Sequence, residues 1–170
     1  SLFEDKILNK FLSDENSNLL RKSFAAQYAM GPYDTLSIDG KQAMEQAISD
    51  GSNWVLKPQR EGGGNNYYKN ELSKFLKNNK NNNLLSGFIL MQRIFPSQQN
   101  AIFFRKNKIE ILPSLSELGI YGTFIGNSNH TDTILRNDTT GYLLRTKPDG
   151  VDEGGVANGS SSLNSVLLKD

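Results

Sequence analysis

The chain has no cysteine. Disulfides, a thiolate nucleophile and a zinc–thiolate centre are therefore excluded. Histidine occurs once, as His130 in the polar run NSNHTD, so a histidine-based catalytic dyad has no support. No apolar run approaches the roughly 20 residues of a membrane span, and the first residues do not form a signal peptide. Neither sign of charge dominates: 19 Lys and Arg stand against 18 Asp and Glu, a net charge of +1. Nothing in that balance calls for nucleic acid or an anionic membrane as partner. No Gly-Lys-Ser/Thr follows a glycine-rich loop and no GxGxxG occurs, so the two commonest phosphate-loop signatures are missing. Asn129, Asn137 and Asn158 each begin an Asn-x-Ser/Thr triplet, read here as chance matches in an asparagine-rich chain. What is present is 170 residues, 36% hydrophobic and 22% charged, enough for a real core with a water-facing surface.

The stretch that organises the rest is Val55 to Asn66, VLKPQREGGGNN. Val55 and Leu56 predict the end of a buried strand, because a short apolar run is followed at once by breakers. Pro58 cannot donate a ladder hydrogen bond and stops that strand. Gly62, Gly63 and Gly64 lack a Cβ, so their loop is free to take φ > 0 and bring backbone N–H groups close to an anion. Lys57 sets a positive charge at the loop's base, and Glu61 offers the hard oxygen that Mg²⁺ prefers. A bare triple glycine alone reads as a flexible surface hairpin. With Lys57 and Glu61 flanking it, the hairpin and nucleotide readings stand level.

Either side of that stretch the pattern is regular. Leu2 to Leu12 places Ile7, Leu8, Phe11 and Leu12 on one helical face. Ser13 is a good N-cap for a second helix, with Leu19, Leu20, Phe24 and Tyr28 turned inward and an end before Gly31-Pro32. Asp39 and Gln42 predict a capping box for a third helix that buries Ala43, Met44, Ala47 and Ile48 and stops at Gly51. Tyr67 and Tyr68 suit either core or ligand cover. Glu71 to Lys77 repeats the helical spacing, and Asn78 to Asn83 reads as an exposed polar loop. Strands are predicted at Gly87 to Phe95, in a hairpin of Ala101–Arg105 with Ile109–Leu112, from Leu115 to Ile125 with breaks at Gly119 and Gly122, and in short pieces at Thr133–Leu135 and Tyr142–Leu144. From Pro148 onward the chain reads as a mobile loop and a frayed tail. Helices first and mostly antiparallel strands afterwards argue an α+β fold.

The words KPQREGGGNN followed by tyrosine resemble the glycine-rich loop of eukaryotic-type glutathione synthetase, of the ATP-grasp superfamily. Three later stretches agree in order: Ser116 to Gly119 (SELG), Leu143 to Lys147 (LLRTK) and Gly154 to Ala157 (GGVA). The resemblance implies an ATP-grasp-like sheet packed with helices and covered by glycine-rich and alanine-rich lid loops. It implies a helical segment over 1–53, a glycine-rich lid over 54–86, and a nucleotide-binding sheet with the alanine-rich loop over 87–170.

By the same resemblance Lys57, Glu61, Gly62, Gly63, Gly64, Asn65, Asn66 and Tyr68 bind ATP, and Glu61 binds its Mg²⁺. Met91, Gln92, Arg93 and Ile94 form the segment that reads adenine through backbone groups. The family's central acid and lysine are replaced here by Gln92 and Arg93, a change that backbone reading tolerates. Glu117, Lys147 and Glu153 complete the nucleotide set. Arg145, Val156 and Ala157 contact the peptide substrate or product, and Asn158 stands where the family has a second alanine. No protein nucleophile is implied.

The implied reaction ligates glycine to γ-glutamylcysteine through an acyl phosphate, giving glutathione, ADP and phosphate. The implied setting is a cytoplasmic enzyme that is a homodimer at full length. The alternatives are a homoglutathione synthetase that accepts β-alanine and a non-catalytic nucleotide-binding module. The resemblance places the chain at about the C-terminal third of the family sequence. Further metal ligands, another ATP-binding lysine and most γ-glutamylcysteine contacts are then expected upstream of Ser1. The expectation is weak nucleotide binding and no ligation by this chain alone.

Overall fold

The structure, a computed structural model, describes residues 10–60, 64–105, 107–127, 130–156 and 159–166, with backbone only for 130–133. They fall into two compact units, residues 1–94 and 95–170. The helix expected over Leu2 to Leu12 lies largely outside the described residues.

In the first unit, α1 (Asp14–Lys22) starts where the sequence predicts: the Ser13 hydroxyl accepts from the Asn16 amide at 3.3 Å. It stops sooner than the spacing predicts. The Ser23 amide bonds back to the Leu20 carbonyl, and the next residues turn out of the helix. Leu19 and Phe24 are exposed, and Tyr28 lies in strand β1 (Gln27–Ala29) opposite Leu90. Helix α2 (Ile38–Ser49) buries Ala43, Met44 and Ala47 as expected. Its cap is Ser37, not Asp39: the Ser37 hydroxyl accepts from the Gly40 amide at 3.1 Å, which leaves Asp39 in the first turn, where it favours the dipole. Ser37→Ala is expected to cost about 1 kcal/mol in chemical denaturation.

Strand β2 (Trp54–Pro58) ends at the proline. Beyond the glycine loop come β3 (Tyr67–Tyr68), α3 (Lys69–Asn79) and β4 (Phe88–Gln92). The four strands form one antiparallel sheet in the order β1-β4-β2-β3. Register decides its two faces, because paired residues share a face and neighbours along a strand alternate. Trp54, Leu56, Tyr67, Phe88 and Leu90 face α2 and α3 and make the core with Met44, Leu72 and Leu76. Tyr67 stacks on Phe75 with ring centroids 4.2 Å apart. Gly51 permits the close approach of α3, since a Cβ there would stand 2.2 Å from the Lys69 carbonyl oxygen.

The asparagine-rich tract is less loose than its composition predicts. Helix α3 runs on to Asn79, and Lys80 pairs with Glu45 while its ammonium lies 3.9 Å from the Tyr33 ring centroid. The lysine's hydrogen bond holds the Glu45 carboxyl below its ordinary range.

The second unit is an antiparallel sheet of β5 (Gln99–Arg105), β6 (Lys108–Asn127), β7 (His130–Pro148) and β8 (Ser162–Asn164), in that order. Asn107 turns the first hairpin with φ 61°, as its position between two strand patterns predicts. The expected break at Gly119 and Gly122 is absent, and the two short strands expected after Thr133 are one. Strands β6 and β7 run through as 20 and 19 residues, with register shifts at Tyr121/Gly122 and Ile125/Gly126 absorbing the irregularity. Phe103, Ser114 and Thr146 are buried, and the serine hydroxyl donates to the Leu112 carbonyl at 2.7 Å.

Candidate functional site

In the first unit, the face of the sheet turned away from the helices carries Val55 and Lys57 on β2, Ile89 and Met91 on β4, and Tyr68 on β3. Lys57 and Leu56 are adjacent in sequence and opposite in direction. Tyr68 thus leaves the core to Tyr67 and joins the lysine's face. Its hydroxyl accepts from the Asn66 side chain at 3.3 Å, and the Arg93 guanidinium lies 5.8 Å from its ring centroid. The arginine also donates to the Ser52 carbonyl at 3.2 Å.

The segment expected to read adenine has part of its backbone engaged. The Gln92 amide donates to the Ala26 carbonyl at 2.9 Å, and the Arg93 amide to the Asn53 carbonyl at 2.8 Å. The Gln92 side chain lies on the helix-facing side, paired with Trp54, and both Gln92 and Ile94 are exposed. Any ligand contact through those two amides would have to displace a bond already made.

Of the glycine loop, Glu61, Gly62 and Gly63 lie outside the described residues. Gly64 has φ +99°, with nothing within 4 Å of a Cβ built on it, so this end of the loop uses the left-handed freedom of glycine. Next to it opens a cavity of about 800 Å³. Gln59, Arg60, Asn65, Asn66, Glu71 and Ser86 give its lining polar character. Glu71 and Ser86 enter this lining from outside the loop. Neither sits in the loop's own string, and only the fold carries α3 and the segment before β4 to it.

In the second unit, register sets Glu117 opposite Arg145 and Leu115 opposite Lys147, so all three charged residues share one face of the sheet. Arg145 Nη2 donates to Glu117 Oε2 at 2.7 Å. The acid's side chain is 70% exposed and the arginine's 41%. A pair this open contributes little to stability, and both groups stay within reach of a ligand. Lys147 Nζ donates to the Asp152 carbonyl at 2.9 Å, at the start of the loop that holds Glu153 and Val156. Val156 is exposed, and Ala157 lies outside the described residues.

Among the described residues no three His, Cys, Asp or Glu side chains come together as a metal-binding group. A carboxylate such as that of Glu61 is a hard oxygen donor of the kind that suits Mg²⁺.

Comparison with known proteins gives a consistent result. Residues 1–168 match the family described as eukaryotic glutathione synthase, ATP binding domain. The chain is 38% identical over 167 residues to the chloroplastic glutathione synthetase of Arabidopsis thaliana, covering 95% of this chain and 29% of that protein. It is 37% identical over 170 residues to the glutathione synthetase of Dictyostelium discoideum, covering 99% and 34%. It is 36% identical over 146 residues to the human glutathione synthetase, covering 85% and 29%. The chain therefore spans about a third of the length of these relatives. A solved glutathione synthetase-like effector from Globodera pallida, in apo form, shares the fold with a TM-score of 0.61. That alignment covers 96% of this chain and 31% of the other, at 19% identity. The α+β, ATP-grasp-like architecture agrees with the order of helices and strands in the sequence. By its whole-chain match and these identities, the chain belongs to the ATP-binding domain family of eukaryotic glutathione synthases.

Proposed function

We propose that this chain is the ATP-binding portion of a glutathione synthetase, an ATP-dependent ligase that joins glycine to γ-glutamylcysteine. The observation that carries the reading is the match of residues 1–168 to the family's ATP-binding domain. The sheet faces support it: Lys57, Tyr68 and Met91 share one face in the first unit, and Glu117, Arg145 and Lys147 share one in the second.

In this reading a γ-glutamylcysteine carboxylate oxygen attacks the γ-phosphorus of ATP, and the bond to ADP breaks. The glycine nitrogen then forms the peptide bond, loses its proton and expels phosphate from the acyl phosphate. The protein's part is positioning and charge compensation rather than covalent chemistry. Lys57, Lys147 and the amides of the 62–66 loop would hold the phosphates. Glu61 would hold the Mg²⁺ that accompanies ATP, and that ion would neutralise phosphate charge. Met91 to Ile94 would border the adenine, and Glu117 and Glu153 would complete the nucleotide contacts. Arg145 has the planar fork that suits a substrate carboxylate. Val156 and Ala157 would sit on a loop that closes over the acyl phosphate and keeps water from it. Residues 54–86 would serve as the glycine-rich lid, and the full-length enzyme would be a cytoplasmic homodimer. Asn158 stands where the family has a second alanine, which leaves β-alanine open as an alternative acceptor.

Calorimetric titration of ATP–Mg²⁺ into this chain and into Glu61→Ala tests the metal role. The variant is expected to bind about tenfold more weakly, a loss of about 1.4 kcal/mol. Equal affinities would remove Glu61 as ligand. The chain by itself is expected to give no ligase turnover, and glutathione formed from its substrates by this chain alone would contradict that.

A further inference from the structure

The loop between β7 and β8 is closed by hydrogen bonds that no family motif assigns. Its main element is Ser160. The Ser160 hydroxyl accepts from the Gly155 amide at 2.8 Å. It turns its own proton to the carbonyls of Gly155 at 3.0 Å and Glu153 at 3.2 Å. The Ser160 and Ser161 amides donate to the same Gly155 carbonyl at 3.1 and 3.2 Å, and Gly159 donates to Val156 at 3.0 Å. At the far side, Arg105 Nη2 donates to the Ser160 carbonyl at 3.5 Å, with its guanidinium 4.7 Å from the Phe103 ring centroid. One hydroxyl, able to accept and donate at once, thus ties Ser160 to the turn of Glu153 to Gly155, while the Ser160 carbonyl joins it to β5.

This closure bears on a charged residue. A Cβ at Gly154 would stand 3.0 Å from Lys147 Cδ and 3.4 Å from Lys147 Cβ, so the loop backbone lies directly on the lysine's stem. The lysine's head donates to Asp152 at 2.9 Å. The turn of Glu153 to Gly155 is therefore the surface against which Lys147 is set. That turn keeps its shape through Ser160.

We propose that Ser160 is a positioning residue for Lys147: by closing the loop, its hydroxyl fixes where the lysine ammonium stands and so the chain's hold on nucleotide phosphates. The inference rests on the reading of Lys147 as a phosphate-binding lysine. An alanine at 160 removes acceptor and donor together and leaves the Gly155 amide without that partner. A threonine keeps the hydroxyl.

The test compares the full chain with Ser160→Ala and Ser160→Thr by amide hydrogen exchange, ATP–Mg²⁺ calorimetry and thermal denaturation. Exchange at Gly155 is expected to quicken about tenfold in the alanine variant, at the upper end of what one hydrogen bond is worth. ATP–Mg²⁺ affinity is expected to fall about fivefold, with the melting midpoint held within about 3 °C and both effects reversed in the threonine variant. Unchanged exchange at Gly155 would overturn the closure. Faster exchange with unchanged affinity would overturn the positioning role. Should the parent chain bind no ATP–Mg²⁺, the nucleotide reading falls and the positioning role with it, while the exchange result still decides whether the hydroxyl closes the loop.

Discussion

Lys57→Ala is expected to weaken ATP–Mg²⁺ binding about ten- to a hundredfold while leaving the melting curve nearly in place. The lysine sits on β2 opposite Ile89, on the sheet face away from the core, with Tyr68 and Met91 as companions on that face. A hydrogen bond to a charged group contributes about 1.5–3 kcal/mol, which sets the size of the expected loss. Stability should hardly move, because the residue buries nothing against α2 or α3 and its stem is only half-buried. Titration calorimetry paired with thermal denaturation reads both quantities on one sample. Unchanged affinity would remove Lys57 from the nucleotide site.

One residue earlier the expected result inverts. Leu56→Ala should destabilise the first unit by about 2–5 kcal/mol. The leucine is fully buried in a cluster with Trp54, Leu72, Leu85 and Leu90, and β2 is held on both sides by β3 and β4. Neighbours fixed by two strands and two helices cannot close over the lost volume, so both the transfer term and the cavity term apply. Against the 5–15 kcal/mol of an ordinary domain, such a loss is a large share. Urea denaturation followed by the fluorescence of Trp54, which is in the same cluster, is the direct measurement. A loss below about 1 kcal/mol would mean that this cluster is not the core that holds the sheet.

The contrast between these neighbours marks how far the letters reach. Lys57 stands out in the sequence because a cation ahead of three glycines suits phosphate, and Leu56 because a short apolar run before a proline suits a buried strand end. Local signals of this kind were legible wherever the cause is local. Ser13 caps the helix it precedes, Asn107 turns its hairpin, and Pro58 ends its strand. They failed where a distant partner decides. Tyr28 fits a helical face, but its backbone pairs with β4, sixty-odd residues on. The cap of α2 is the exception, a local choice: Ser37 outcompetes Asp39 because its extended backbone aims the hydroxyl at Gly40, three residues on. Gly119 and Gly122 resemble strand breaks, yet a partner strand with its own ladder carries β6 past both.

The amino-acid sequence by itself determined the family and the alternation that separates Lys57 from Leu56. Those depend on side-chain chemistry and on neighbours within a few residues. Tertiary structure alone decided that Glu117 meets Arg145 and that the Ser160 hydroxyl meets the Gly155 amide in the loop resting on Lys147. Glu117 and Arg145 are distant along the chain and strand register joins them, while Ser160 reaches Gly155 through the way the loop folds back on itself.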